Sequence, residues 1–254
     1  MSDIDSRVDV IDERISCRAF EQRAVEQEKV DILASDIERI NSQSGLHFQL
    51  YGPREDGTAI DLSTSMFANN APLYAALVGP SEYGPQEQLG YYGEQLVLLV
   101  QQIGLSSCWV ASTYNQETTR ADIAEGEKLH DVLPIGYAPA KQPLRQRTMR
   151  AAIRARDKKL EDFWHGPTPL SQAPEWIQAC MLAVLKGPSA ANKQPVFFVQ
   201  QIKDGPIRAE VIEGGSDQKY TDLGIAKLHF ELTAHACGIP GTWEWGVGGA
   251  FIME

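Results

Sequence analysis

Three stretches of the chain carry residue types that could hold a small anionic molecule. In Arg14-Ile15-Ser16-Cys17-Arg18-Ala19-Phe20 an extended backbone would turn alternate side chains to one face, so Arg14, Ser16 and Arg18 would point together. Two guanidinium groups and a hydroxyl suit a phosphate or the carbonyl-rich edge of a ring. In Gly187-Pro188-Ser189-Ala190-Ala191-Asn192-Lys193-Gln194-Pro195 a helix ends, a turn of small residues follows and a strand begins. Ser189, Asn192 and Gln194 offer donors and acceptors for the edge of a planar heterocycle, and Pro188 and Pro195 stiffen the loop. The third stretch places Lys141, Arg145 and Arg147 just beyond the apolar run from Leu133 to Pro139. Taken singly, these patterns are also what solvated arginines, an ordinary helix–strand turn or a polar helix start would show.

The elements that must position these residues are legible from periodicity. Val25, Val30, Ile32, Leu33, Ile37 and Ile40 predict a helix over 24–41. Leu46 to Tyr51 predicts a strand ended by Gly52-Pro53, and Pro72 to Val78 a buried strand ended by Gly79-Pro80. Residues 89–103 form an apolar helix stopped by Gly104. A basic amphipathic helix is expected over 144–164, and the chain then breaks at His165-Gly166-Pro167-Thr168-Pro169. Pro174 opens the next helix, which runs to Lys186. Strands follow at Val196–Val199 and Ile207–Ile212, and a last long helix over 221–237 is stopped by Gly238.

Composition narrows the classes. The 254 residues are 43% hydrophobic and 22% charged, which is globular rather than disordered. A net charge of −11 repels phosphate backbones and speaks against a nucleic-acid partner. The charge is uneven, with eight of the 23 Lys and Arg residues between Lys141 and Lys159. The N-terminus has neither a basic nor an apolar signal region, no apolar run approaches membrane length, and Cys17, Cys108, Cys180 and Cys237 form no C-x-x-C pair. A cytoplasmic chain with reduced thiols and no structural zinc is expected. His229 and His235 fall on different faces of their helix and make poor metal partners. No Walker A segment or G-x-S-x-G elbow occurs, and Gly246-Val247-Gly248-Gly249 lies too late to open a dinucleotide unit.

The sequence also repeats itself. Leu89-Gly90, a helix, and Gly104-Leu105-Ser106-Ser107-Cys108-Trp109 match Leu223-Gly224, a helix of equal length, and Gly238-Ile239-Pro240-Gly241-Thr242-Trp243. Any helix can end in glycine. Both glycines, the aliphatic residue and the tryptophan at one offset point to an internal duplication, with halves at 1–165 and 166–254 closing into one pseudo-two-fold unit.

Together these segments resemble the nitroreductase family of flavoproteins. The resemblance rests on Arg-x-Ser-x-Arg-x-Phe at 14–20, Pro-Ser-Ala-x-Asn-x-Gln-Pro at 188–195, the Gly-to-Trp helix endings at 104–109 and 238–243, and the strand with basic residues over 134–147. It implies an α+β nitroreductase-like fold and bound FMN, with NADH or NADPH as electron donor. The acceptor would be a nitro, quinone or related small electrophilic compound. It implies cofactor contacts from Arg14, Ser16, Arg18, Lys141, Arg145, Arg147, Pro188, Ser189, Ala190, Asn192 and Gln194. Arg18 is the candidate for stabilising charge near flavin N1, with Arg14 second. No side chain is assigned as a catalytic proton donor. Ordinary family members are homodimers whose two sites each draw residues from both subunits. Here the motifs are divided. The first half has only Asn41-Ser42-Gln43-Ser44-Gly45 at the Pro-Ser-Ala-x-Asn position, and the second has no Arg-x-Ser-x-Arg and no basic tail. The resemblance therefore implies one complete site per chain, a monomer imitating the dimer, and possible further self-association. A non-catalytic flavin-binding or sensing protein, and a scaffold that has lost the flavin, are the alternatives.

Overall fold

In the computed structural model, residues 4–55, 59–62, 71–82, 86–111, 113–141, 143–154, 158–214 and 216–254 are described. They form five α-helices and nine strands in two sheets, an α+β arrangement. Two units interleave along the chain: residues 13–85 with 96–152, and residues 1–12, 86–95 and 153–254.

The first of these units holds α1 (Gln27–Ser44), β1 (His47–Tyr51), β2 (Leu73–Pro80), β3 (Ser106–Ser107) and β4 (Glu127–Gly136), with the sheet ordered β1-β2-β4-β3. All its pairings are antiparallel. β2 is buried over seven of its eight residues, as its unbroken apolar run requires. Tyr74, Ala76 and Val78 pack with Ile60, Val110, Tyr114 and Val132 as one core.

The other unit holds β5 (Trp164–His165), α4 (Glu175–Lys186), β6 (Val196–Gln200), β7 (Ile207–Val211), α5 (Lys219–Ala236), β8 (Gly241–Trp243) and β9 (Ala250–Met253), in the order β5-β6-β7-β9-β8. Its core is aromatic, with Phe230 stacked on Phe198 at 5.1 Å and edge-on to Trp243 at 5.0 Å. With β5 set aside, this sheet repeats the chain order and neighbours of the first one: β6-β7-β9-β8 against β1-β2-β4-β3.

The helix expected over 144–164 is shorter than its amphipathic pattern predicts. α3 spans Leu144–Arg154, and Leu160–Phe163 is a 3₁₀ turn leading into β5. Burial of Phe163 and Trp164, and the parallel pairing of Trp164 with Phe198, override local helical preference. Pro174 is the N-cap of α4 rather than its first helical residue.

The two repeated motifs adopt the same geometry. α2 (Gln86–Gln102) and α5 each end on a left-handed glycine, Gly104 at φ +76° and Gly238 at φ +79°. In each case the next residue's N–H reaches back to the last turn: Leu105 N to Val100 O and Ile239 N to Ala234 O, both 2.9 Å. The start of α2, which belongs to the same unit as α5, meets it through two glycines. A Cβ on Gly90 would lie 2.0 Å from Thr221 O, and one on Gly224 would lie 1.8 Å from Glu87 O. Gly90 and Gly224, like Glu87 and Thr221, are separated by the offset that relates the two motifs in sequence. The contact is thus reciprocal.

Polar groups line this crossing. Lys227, fully buried, pairs with Glu87 and donates to the carbonyls of Glu244 and Gly246. His229 donates from Nδ1 to Ala183 O and meets Glu94 through Nε2 at 3.0 Å. Tyr91 donates to Glu231, whose carboxyl is pushed up to about 7 mainly by burial. Each buried charge has partners, as a low-dielectric interior demands.

Two predictions come from this packing. Gly224→Ala drives a methyl into backbone and is expected to cost at least about 3 kcal/mol in urea unfolding, above the usual overpacking cost. Gly126→Ala, whose Cβ would meet nothing, carries only a left-handed penalty of about 1–2 kcal/mol. The second concerns Asp131, which sits beside a register shift in the β2–β4 pair and is 2% exposed, with its carboxyl pushed up to about 7 by burial alone. Between about pH 4 and 7 the folded chain keeps a proton that the unfolded chain has lost, so stability falls as pH rises through that window. Asp131→Asn is expected to recover on the order of 2–4 kcal/mol at pH 8 relative to pH 4, read from denaturation midpoints across pH.

Candidate functional site

The segment 14–20 runs extended, without joining a regular strand. Cys17 N donates to Ser107 O at 2.8 Å, and Glu21 N donates to Tyr137 O at 2.8 Å, so the segment is held along the ends of β3 and β4. Alternation then decides what each residue does. Cys17 turns inward, 2% exposed, and packs with Phe20 and Ala71. Its thiol donates to Ala19 O at 3.0 Å, so it serves packing. Arg14, Ser16 and Arg18 take the other face and are half-buried.

These three residues converge on Cys108, 3% exposed, which immediately follows β3. Ser16 hydrogen-bonds its thiol, and the guanidiniums of Arg18 and Arg14 act on it electrostatically. Burial still holds the thiol above its ordinary range, outweighing Arg18, Ser16 and Arg14. The thiol is thus neutral and not an activated nucleophile, in the field of two cations and a hydroxyl. Nothing about Cys108 in the sequence marks it, apart from its place beside the repeated tryptophan.

The basic stretch is less concentrated. Lys141 is exposed, and Arg147 is exposed on α3. The side chain of Arg145 lies outside the described residues. Gln146, between the two arginines, is buried.

The turn over 189–194 belongs to the unit that contains α4 and β6. Gly187 ends α4, Pro188 turns the chain, and Ala190–Asn192 forms a short 3₁₀ turn. Ser189 Oγ accepts from Gln194 N at 2.9 Å, tying the turn across its base. Gln194, 4% exposed, accepts from Lys158 N at 3.1 Å and donates to Leu185 O at 2.9 Å. Its amide therefore clamps the turn to its own surroundings. Asn192 donates to Ile153 O at 3.2 Å, while Pro188, Ser189 and Ala190 are half-buried. Asp222 in the first turn of α5 accepts from Ala190 N at 3.0 Å. Sequence gave no signal for Asp222, since its partner lies thirty-two residues upstream.

At the corresponding place in the first repeat, Asn41 is committed elsewhere. Its side chain donates to Phe48 O and accepts from Phe48 N, each at 2.8 Å. Among the described residues no group of three or more His, Cys, Asp or Glu could hold a metal ion. No helix among them is long and apolar enough to cross a membrane.

A family model described as Putative TM nitroreductase matches residues 7–234. Among solved structures, a putative nitroreductase from Thermotoga maritima MSB8 is similar with a TM-score of 0.64, covering 97% of this chain and 92% of that one at 19% identity. That likeness is one of fold. An FMN-dependent nitroreductase from Clostridium difficile R20291 aligns over 52% of this chain and 87% of its own, at 21% identity and TM-score 0.41. A nitroreductase with bound FMN from Bacteroides fragilis NCTC 9343 aligns over 57% and 92%, at 13% identity and TM-score 0.41. No curated protein matches the sequence.

Proposed function

We propose that this chain, which belongs to the Putative TM nitroreductase family, is an FMN-binding oxidoreductase. It draws electrons from NADH or NADPH and delivers them to small electrophilic compounds such as nitroarenes and quinones. The observation that carries this reading is the convergence of Arg14, Ser16 and Arg18 on one face around the neutral Cys108 thiol. Two half-buried cations and a hydroxyl beside an uncharged thiol fit an electron-rich ring edge better than they fit a solvated surface.

The chemistry that FMN supplies when bound is acceptance of hydride from a reduced nicotinamide and return of two electrons to an acceptor. The protein's part is to bind and to orient. Arg14 and Arg18 hold negative charge at the ring edge, with Arg18 assigned to the N1 side. Ser16 supplies a hydroxyl. Lys141, Arg145 and Arg147 are assigned to the phosphate, and Pro188, Ser189, Ala190 and Asn192 form the second contact set, with Gln194, its amide spent on Lys158 N and Leu185 O, holding their turn rather than touching the flavin. No proton donor is assigned among the side chains.

The repeated sequence motifs, the matching strand orders and the reciprocal glycine contact support reading the chain as a duplication of halves 1–165 and 166–254, a single chain acting as a pseudo-dimer. Only one half has Arg-x-Ser-x-Arg and only the other has Pro188–Pro195, while Asn41 is occupied by Phe48. One FMN per chain follows. Four free cysteines fit a cytoplasmic location.

The test is the visible spectrum of purified protein under anaerobic conditions. A flavin spectrum that NADH or NADPH bleaches and a nitroarene or quinone restores is the expected result. A flavin that neither nicotinamide reduces would overturn the enzyme. The flavin-to-chain ratio is expected near one, and a ratio near two would show that both halves bind. Arg14→Ala is expected to weaken FMN binding by about 1.5–3 kcal/mol, the range for a lost hydrogen bond to a charged group, measured by fluorescence titration. Unchanged affinity would remove Arg14 from the site.

A further inference from the structure

The turn over 189–194 is strained in a way that a plain connection does not need. Ala191 lies at φ 50° and ψ 23°, Asn192 at φ 56° and Gln194 at φ 46°. Only one other non-glycine residue among those described, Asp204, has positive φ. Asparagine tolerates this region, but alanine and glutamine carry a Cβ that clashes there. Glycine at position 191 would remove the penalty and, having no Cβ, would also leave the turn free to take other shapes. Strain of this kind persists only where the surroundings over-determine it, and it gathers where a chain must be shaped in advance for a ligand.

The surroundings do over-determine it. Within the turn, Asn192 N donates to Ser189 O, Lys193 N to Ala190 O, and Gln194 N to Ser189 Oγ. From outside, Gln194 is clamped by Lys158 N and Leu185 O, and Asn192 by Ile153 O. One further restraint comes from a long, buried helix. Asp222, 4% exposed on α5, accepts from Ala190 N at 3.0 Å, directly before the strained pair. Its own N–H is spent inside α5 on Gln218 O, so the side chain is committed to the turn while the backbone stays helical. Asp222, Ser189, Gln194, Pro188 and Ile225 line one small cavity beneath the turn.

We propose that Asp222 is a positioning residue: through the Ala190 amide it holds the 189–194 turn in its strained shape, so that Ser189, Ala190 and Asn192 are set for a flavin before it arrives. This rests on the FMN reading above. The energetic logic is preorganisation, in which ordering is completed during folding rather than on binding. It separates stability from affinity. Relaxing the turn should help the fold and harm the binding.

The test uses the full chain, freed of flavin, titrated with FMN and unfolded thermally, in wild type, Asp222→Ala, Asp222→Asn and Ala191→Gly. Asp222→Ala is expected to weaken FMN binding at least tenfold and to speed amide exchange at Ala190. Asp222→Asn keeps an acceptor oxygen and is expected to regain most of that affinity. Ala191→Gly is expected to raise the thermal midpoint while weakening FMN binding several-fold. If Asp222 were merely structural, Asp222→Ala would lower the midpoint and leave FMN affinity unchanged, and the proposal would fall. Unchanged affinity in Ala191→Gly would sink it equally, and that variant decides if Asp222→Ala does not fold. Wild-type protein that binds no FMN would overturn the FMN reading and this inference with it. Tight wild-type binding with indifferent variants would overturn this inference alone.

Discussion

The close approach of α2 and α5 at Gly90 and Gly224 constrains much of what surrounds it. A side chain at either position would occupy the space of a backbone carbonyl. Helices in ordinary contact are separated by side chains; these are not. Bringing two backbones so near leaves little room for apolar filler, and the residues along the crossing reach past one another to make polar contacts. Glu87 with Lys227, Tyr91 with Glu231 and Glu94 with His229 are the result. Such pairs add little net stability compared with apolar packing. They do make the crossing exacting, because any slip leaves a buried charge alone.

Lys227 extends that constraint to the sheet of the same unit. Besides Glu87 it holds the carbonyls of Glu244 and Gly246, while Glu87 accepts from Gly246 N. The hairpin between β8 and β9 is thereby fixed from below. Trp243, at the end of β8, donates to Lys227 O and packs on Phe198, Phe230 and Phe251. The tryptophan that sequence singles out as half of a repeat is thus where the polar crossing meets the aromatic core.

The candidate binding segments follow a different logic, that of local restraint. Arg14, Ser16 and Arg18 are aligned because the extended chain is hydrogen-bonded along β3 and β4, with Cys17 anchored on the opposite face. The turn over 189–194 is held against its own backbone preference by Gln194, Ser189 and Asp222. In both, rigid neighbours fix groups that would otherwise be mobile in solvent.

The sequence by itself determined the long elements, because apolar periodicity over ten or more residues has few alternative explanations. α1, α2, α4 and α5 fall where that periodicity places them, and β2, β6 and β7 where short apolar runs bounded by Gly or Pro place them. It also determined the repeat, and the shared face of Arg14, Ser16 and Arg18, since alternation is a property of any extended chain. Tertiary structure decided the rest. The basic helix does not run on to 164 because Phe163 and Trp164 gain more from the aromatic core and from pairing with β6 than from helical hydrogen bonds. β3, β5 and β8 are too short to carry a period at all. Cys108 and Asp222 owe their roles to partners far away in sequence, and no local pattern encodes a contact that only the folded chain brings within reach.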